Sequence, residues 1–264
     1  MPDEDFSPAD HDAINRIVEI LKGSDKLFFI TGAGMSADSG LPTYRGVGGL
    51  YNAGETEEGM PIEELLSGAM FRRQPDLTWK YLGQILSKCG GVTFHRGHQV
   101  LAEMEQHFPH VCILTQNVDG LHHEAGSRNV IEIHGNIRRL LCTRCDSTQV
   151  LDKTEELSLP PTCRKCSAIL RPDVVLFGEM LAPEAVEKLY DELETIGFDA
   201  VFSIGTTSVF PYIAEPMHRA HQLGLPAIEI NPDQTQVSHL ATVRLRQRAA
   251  PALDAIWKRF TEQV

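Results

Sequence analysis

The chain lacks a basic surplus. Its 264 residues carry 36 Asp and Glu against 24 Lys and Arg, a formal net charge of −12. Duplex nucleic acid is a poor partner for such a surface, because phosphates are held by clustered Lys and Arg. A cationic partner, such as a Lys-rich peptide, suits the balance better, and the same acidity favours solubility. No run of about 18 apolar residues occurs, so no membrane span is expected. The opening Met1-Pro2-Asp3-Glu4-Asp5-Phe6 has no positive n-region and no apolar h-region, so it does not read as a signal peptide. The expected setting is cytoplasmic and reducing, where clustered cysteines are more often metal ligands than disulfides. No G-x-S-x-G is present, which disfavours a serine hydrolase. No internal repeat is visible.

What is present is an ordinary globular composition, 42% hydrophobic and 23% charged. Apolar residues at Ile14, Ile17, Val18, Ile20 and Leu21 have helical spacing, and Gly23 stops the helix. Helical pattern recurs over Pro61–Gly90 with a break near Gln74-Pro75, and over Gly97–His107, Pro183–Ile196, Ile213–Leu223 and Ala249–Phe260. Short apolar runs at Leu27–Ile30, Val111–Leu114, Asn129–His134, Ala200–Ile204, Pro226–Ile230 and Val243–Leu245 read as strands. This alternation predicts βαβ units and a parallel sheet. Several of these strands end in Gly- or Asn-rich polar turns, which would line one edge of the sheet, where ligands bind.

Three constellations carry chemistry. Cys142-x-x-Cys145 and Cys163-x-x-Cys166, separated by Asp146 to Thr162, fit a four-cysteine zinc pattern. Four thiolates leave no open position, so this zinc would be structural. Cys89 and Cys112 lie outside the pattern. Gly32-Ala33-Gly34-Met35-Ser36-Ala37 follows a strand and fits G-x-G-x-x-G/A, where glycines admit a pyrophosphate and a following helix N-terminus favours the anion. A dehydrogenase would also place an acid at the end of the second strand. Here the chain instead enters a Gly-rich loop over Leu41–Met60. Third, Thr115-Gln116-Asn117-Val118-Asp119-Gly120-Leu121-His122 follows an apolar strand at once with polar side chains, and Ile133-His134-Gly135 lies close after it. His134 is the candidate general base, since imidazole titrates near neutrality.

Gly32 to Arg45 as a whole resembles the cofactor signature of the sirtuins. The stretch Thr115–His122, His134-Gly135, the four cysteines, Phe177-Gly178-Glu179, Gly205-Thr206-Thr207-Ser208 and Glu229-Ile230-Asn231-Pro232 follow in the sirtuin order. The likeness covers roughly residues 10 to 258 and is to the bacterial-type short form. It implies an α/β fold with a Rossmann-like parallel sheet, helices on both faces, a small zinc-binding module and a helical module. The Rossmann-like domain would comprise 1–45, 91–137 and 171–264, the cofactor loop and helical module 46–90, and the zinc module 138–170.

The resemblance also implies NAD-dependent removal of acyl groups from lysine, with nicotinamide and O-acyl-ADP-ribose as products. The acyl oxygen itself attacks the nicotinamide ribose, so no protein nucleophile is needed. His134 matches the family's base, and Asn117 and Asp119 match residues that hold ribose and the nicotinamide carboxamide. Gln116 matches a ribose contact. Gly32, Ala33, Gly34, Ser36, Asp38, Thr43, Tyr44 and Arg45 match the pocket and the loop that closes on NAD. Gly205, Thr206, Ser208, Asn231, Pro232 and Ala249 match the phosphate and adenosine side. Val174, Val175, Phe177, Gly178 and Glu179 match the segment that receives an acyl-lysine protein or peptide. Sirtuins that prefer succinyl or malonyl groups carry a Tyr and an Arg in the helical module. Here Leu82 and Ile85, or with a shifted alignment Gln84 at the Arg position, stand there. Uncharged acyl groups are therefore expected, although Gly46–Tyr51 resembles the desuccinylase branch. A mono-ADP-ribosyltransferase on the same fold is the alternative. The segment from Gly205 to Pro211 is one residue shorter than the commonest family form.

Overall fold

A computed structural model describes residues 6–43, 56–152 and 157–264. Tyr44, Arg45 and the Gly46–Tyr51 segment lie outside the described residues. Nine strands are present among them: β1 (Lys26–Thr31), β2 (His110–Thr115), β3 (Val130–Glu132), β4 (Gly135–Cys142), β5 (Thr148–Val150), β6 (Leu170–Val174), β7 (Ala200–Ile204), β8 (Ala227–Ile230) and β9 (Val243–Leu245). The helices are α1 (Pro8–Lys22), α2 (Ala33–Ser36), α3 (Ile62–Leu65), α4 (Gly68–Arg73), α5 (Pro75–Gly90), α6 (Arg96–His107), α7 (Leu121–Glu124), α8 (Pro183–Tyr190), α9 (Pro211–Leu223) and α10 (Ala249–Thr261).

Six strands form one parallel sheet in the order β3-β2-β1-β7-β8-β9. The expected parallel sheet is thus found, in the doubly wound arrangement. Its central strands are mostly apolar and buried because both faces are covered. Phe29, Ile113 and Phe202 pack with α1, α6 and α10 through Ile17, Leu101 and Ile256. Phe28, Leu114 and Val201 face the opposite layer, with Leu189 of α8 and Met217 of α9. Each fully buried side chain of this size contributes about 1.5–3 kcal/mol.

Strand order reverses between β1 and β7, whose ends are level, with Thr31 opposite Ile204. At such a reversal the connections diverge to opposite faces and leave a crevice. Two glycine turns meet there. Gly32 N–H donates to Ile204 O at 3.2 Å and Gly34 N–H to Gly205 O at 2.8 Å. A Cβ on Gly34 would stand 2.7 Å from Gly205 Cα, and one on Gly205 would stand 2.4 Å from Met35 N. Gly205 also has φ +58. These glycines permit close packing of turn on turn. After the first glycine turn α2 is a single turn of four residues followed by a 3-10 turn, Ala37–Ser39.

The predicted break at Gln74-Pro75 is present, with Pro75 in the first turn of α5. A second break at Leu66-Ser67 separates α3 from α4. There Ser67 Oγ accepts from Met70 N at 3.0 Å, and Phe177 and Leu66–Gly68 exchange backbone bonds. Trp79 of α5 is wholly buried and its Nε1–H donates to Leu170 O at 2.8 Å. The helical segment is therefore anchored to β6.

β5, β4 and β6 form a separate antiparallel sheet. It crosses positions 137 and 171, since β4 begins at Gly135 and β6 ends at Val174. Beyond its far end the sulfurs of Cys142, Cys145, Cys163 and Cys166 all lie within 4.8 Å of one another. Cys142 and Cys166 are 3.4 Å apart and Cys145 and Cys163 3.7 Å. Tetrahedral zinc with thiolates at about 2.3 Å needs sulfurs about 3.8 Å apart, so the set fits one ion. The N–H groups of Arg144 and Cys145 point at Cys142 Sγ, and that of Lys165 at Cys163 Sγ, each at 3.4 Å. These donors stabilise thiolate charge. Cys89 and Cys112 are buried away from it.

Two outcomes follow from this architecture. Gly205→Ala should lower stability by about 3 kcal/mol, as a positive φ and a backbone clash combine. Urea unfolding with an unchanged slope would register it. The purified protein should hold one zinc per chain by elemental analysis, and Cys145→Ser should abolish it and expose 138–170 to limited proteolysis. Full zinc content in that variant would rule out this ligand set.

Candidate active site

The polar strand ends converge on the crevice. A cavity of about 670 Å³ runs across it, bounded by the turns after β1, β2, β7 and β8. This is within the usual range for small-molecule sites. A small side pocket opens beside it, sharing Ala33, Ile85, Asn117 and Val118.

Asn117 and Asp119 follow β2 and are buried, at 4% and 5% exposure. Asn117 Nδ2–H donates to Gly32 O at 2.9 Å and to Ser36 Oγ at 3.0 Å. Ser36 Oγ–H in turn donates to Asp119 Oδ2 at 2.7 Å, while Leu121 N–H donates to Oδ1 at 3.0 Å. Burial pushes the Asp119 carboxyl above its usual range despite these donors. Asn117 Oδ1 is buried without a hydrogen-bond partner. An orphaned amide oxygen costs about 1–3 kcal/mol. It would be satisfied by a ligand that brings a hydroxyl or an amide N–H, both of which NAD carries.

Beneath this network His122 Nε2 meets Thr31 Oγ1 at 3.0 Å. His98 meets its ring edge to face, with centroids 5.0 Å apart. Burial pushes His122 down to about 3 and His98 to about 2, so both are neutral.

His134 lies between β3 and β4, half-buried at the cavity wall. Its Nδ1 is 3.1 Å from Gln116 O and its Nε2 2.7 Å from Tyr212 Oη. A carbonyl only accepts, so Nδ1 carries the proton. Burial lowers the imidazole below its usual range, against the Gln116 bond, which raises it. The result is a neutral imidazole that borders the cavity with its Nε2 held by Tyr212. Gln116 Nε2–H donates to Thr206 Oγ1 at 2.7 Å and ties the β2 and β7 turns together.

Gly32, Ala33, Gly34, Thr43, Gln116, Gly205, Thr206, Asn231, Pro232 and Ala249 all border the large cavity, and Ser36 and Asp119 the side pocket. Asn231 Nδ2–H donates to Thr206 O at 3.1 Å. Two residues matched to the cofactor site fall off the cavity. Asp38 is turned to Arg248 and to Ala250 N–H, which donates to its carboxylate at 2.9 Å. Ser208, at φ +53, is buried with its Oγ 3.5 Å from Ser203 Oγ. Thr207 and Val209 face the cavity instead.

Val174, Val175, Phe177, Gly178 and Glu179 form one lip. Val175 N–H donates to His134 O at 3.0 Å, which holds the lip beside the base. Glu179 turns inward, where Arg171 donates to both its oxygens at 2.8 Å and Leu176 N–H at 3.1 Å. Burial alone would raise its carboxyl, but these donors hold it below its usual range. Glu179 fixes the lip and has little capacity left for a ligand. Leu82 and Ile85 line the cavity, with Leu66, Val118, Ile137 and Leu176 around them. Tyr81 instead hydrogen-bonds Glu58, and Lys80 pairs with Glu57 at 2.7 Å and Glu58 at 2.6 Å. Among the described residues lining the large cavity, the one Lys or Arg is Arg248, paired with Asp38.

Residues with no motif signal also belong to the site. Phe210 and Tyr212 flank His134, and Gln247 and Arg248 border the end near Asn231.

Comparison with known proteins agrees with this geometry. The Sir2 family model matches residues 32–211. A Pseudomonas aeruginosa protein named NAD-dependent protein deacylase 2 is 48% identical over 242 residues, covering 90% of this chain and 94% of that protein. NAD-dependent protein deacylase 1 of Archaeoglobus fulgidus is 36% identical over 241 residues, covering 91% and 95%. The crystal structure of a Sir2 homolog–NAD complex superposes with a TM-score of 0.83 at 34% identity, covering 94% of each chain. The sheet order, the glycine turns, the four-cysteine cluster and these matches agree, and the chain belongs to the Sir2 family.

Proposed function

We propose that the protein is an NAD-dependent protein lysine deacylase that prefers uncharged acyl groups. The observation that carries this reading is the buried Asn117–Ser36–Asp119 network, with one open acceptor, beside a neutral His134 on the same cavity. The names of the relatives and the NAD complex of a structural neighbour support the same cofactor. NAD supplies the electrophilic sugar carbon and the nicotinamide leaving group. Asn117 and Asp119 would hold its nicotinamide and ribose end, and Thr206 and Asn231 the phosphate and adenosine side. His134 would take a ribose hydroxyl proton once nicotinamide has left. The acyl-lysine peptide would lie along the Val174–Glu179 lip. Its acyl group would enter between Val175, Phe177 and the apolar wall.

That wall sets the acyl preference. Leu82 and Ile85 offer no charge, and a buried unpaired carboxylate costs several kcal/mol. Lys88 borders only the side pocket and is exposed. The acidic chain also favours Lys-rich substrates over nucleic acid. No described helix is long and apolar enough to cross a membrane, and we place the protein in the cytoplasm.

The test is a panel of peptides bearing acetyl to myristoyl and succinyl lysine, incubated with NAD. Acetyl or longer uncharged groups should be removed at least about tenfold faster than succinyl, a difference of about 1.4 kcal/mol. Preferred succinyl removal would overturn the role given to Leu82 and Ile85. ADP-ribosylated protein without O-acyl-ADP-ribose would favour the transferase alternative. His134→Ala should lower the deacylation rate by about 10²-fold or more. The base works as neutral imidazole and its pKa is depressed. The acid limb of kcat/KM should therefore lie below about pH 6.5, activity persisting as pH falls through that value.

A further inference from the structure

Both ring nitrogens of His134 are engaged. Nδ1–H is committed to the Gln116 carbonyl, so Nε2 presents the lone pair that a base needs. Tyr212 Oη–H already donates to that lone pair at 2.7 Å. The phenol is firmly held. Pro211 and Tyr212 are the first two residues of α9, where proline fixes the backbone. The Tyr212 ring stacks on Phe210, with centroids 5.6 Å apart and planes 14° apart. Both rings meet the imidazole edge to face, at 5.8 Å and 6.0 Å. Swinging Tyr212 aside would break the stack and bare the half-buried rings. Tyr212 also borders the cavity, and a phenol oxygen that donates one hydrogen bond still accepts another.

We propose that Tyr212 is the outer half of the base: a hydroxyl of the bound ribose gives its proton to Tyr212 Oη as the phenol passes its own to His134 Nε2. This rests on the deacylase reading above. The ribose O–H bond breaks, its electron pair stays on oxygen for attack on the acyl carbon, and a new O–H forms on the phenol. The old phenol O–H breaks and an N–H forms on the imidazole, which becomes cationic. Tyr212 is neutral before and after. Burial, which pushes the phenol up to about 12, therefore preserves the donor without obstructing the exchange.

The experiment compares wild type with Tyr212→Phe, and with 3,5-difluorotyrosine placed at 212. In NAD-free protein, the His134 titration is followed by NMR. Loss of the donor should raise its midpoint in Tyr212→Phe, and the stronger fluorinated donor should lower it. With NAD and acetyl-lysine peptide, Tyr212→Phe should lose about 10²-fold in deacylation kcat. Exchange of labelled nicotinamide into NAD, which precedes the base, should stay within about threefold of wild type. Unchanged kcat in Tyr212→Phe, or a His134 midpoint that moves in neither variant, overturns the proposal. A wild type that deacylates no peptide would instead overturn the deacylase reading, and the NMR midpoints would still report the Tyr212–His134 bond.

Discussion

Everything at the site depends on how closely two backbone turns approach. The turn after β1 and the turn after β7 share hydrogen bonds from Gly32 and Gly34, and no side chain fits between them. This contact fixes the mouth of the crevice at the strand reversal. It also delivers the Gly32 carbonyl to Asn117 and places Ser36 between Asn117 and Asp119. The glycine signature therefore has a packing cause that precedes any ligand. With Gly34 N–H already bonded and only one turn of helix behind it, the anion affinity of a long helix is not available here. Thr206, Gln116 and Asn231 are the groups that knit the turns after β2, β7 and β8 together.

The Asn117–Ser36–Asp119 network is otherwise satisfied. Such a network is rigid, because breaking one member leaves another unpaired in a low dielectric. Rigidity presets the orientations of Asn117 and Asp119, so little reorganisation remains for a ligand to impose. The open acceptor of that network, Asn117 Oδ1, carries an energetic cost. Binding removes that cost, and only for ligands with a donor at that point.

Much of this was legible from pattern alone. Parallel strands covered on both faces must be apolar throughout, and so Leu27–Ile30, Val111–Leu114 and Ala200–Ile204 stood out. Polar residues directly after such runs marked the site, because buried strands otherwise end in ordinary turns. The cysteine spacing identified the metal cluster for a similar reason, since two thiolates on one knuckle demand a short separation. What was not legible depends on tertiary direction. An aromatic residue in the first turn of a helix reads as core, so nothing in Phe210-Pro211-Tyr212 announced a partner for His134. The same holds for Asp38, which pairs with Arg248, 210 residues away. Ser208 and Thr207 differ only in which way one backbone kink turns them. The inward turn of Glu179 follows from Arg171 across the lip, a contact that Phe-Gly-Glu alone does not reveal.

The small antiparallel sheet starts at Gly135, one residue after His134, and ends at Val174, one residue before the amide that bonds His134 O. His134 and the Val174–Glu179 lip are thus the two loose ends of a single ribbon whose opposite end is clasped by four sulfurs. Zinc here acts as a clamp at a distance. It lies away from the cavity, yet it holds the far end of the ribbon that carries His134 and the lip. Loss of the metal would free that far end without touching any strand of the main sheet.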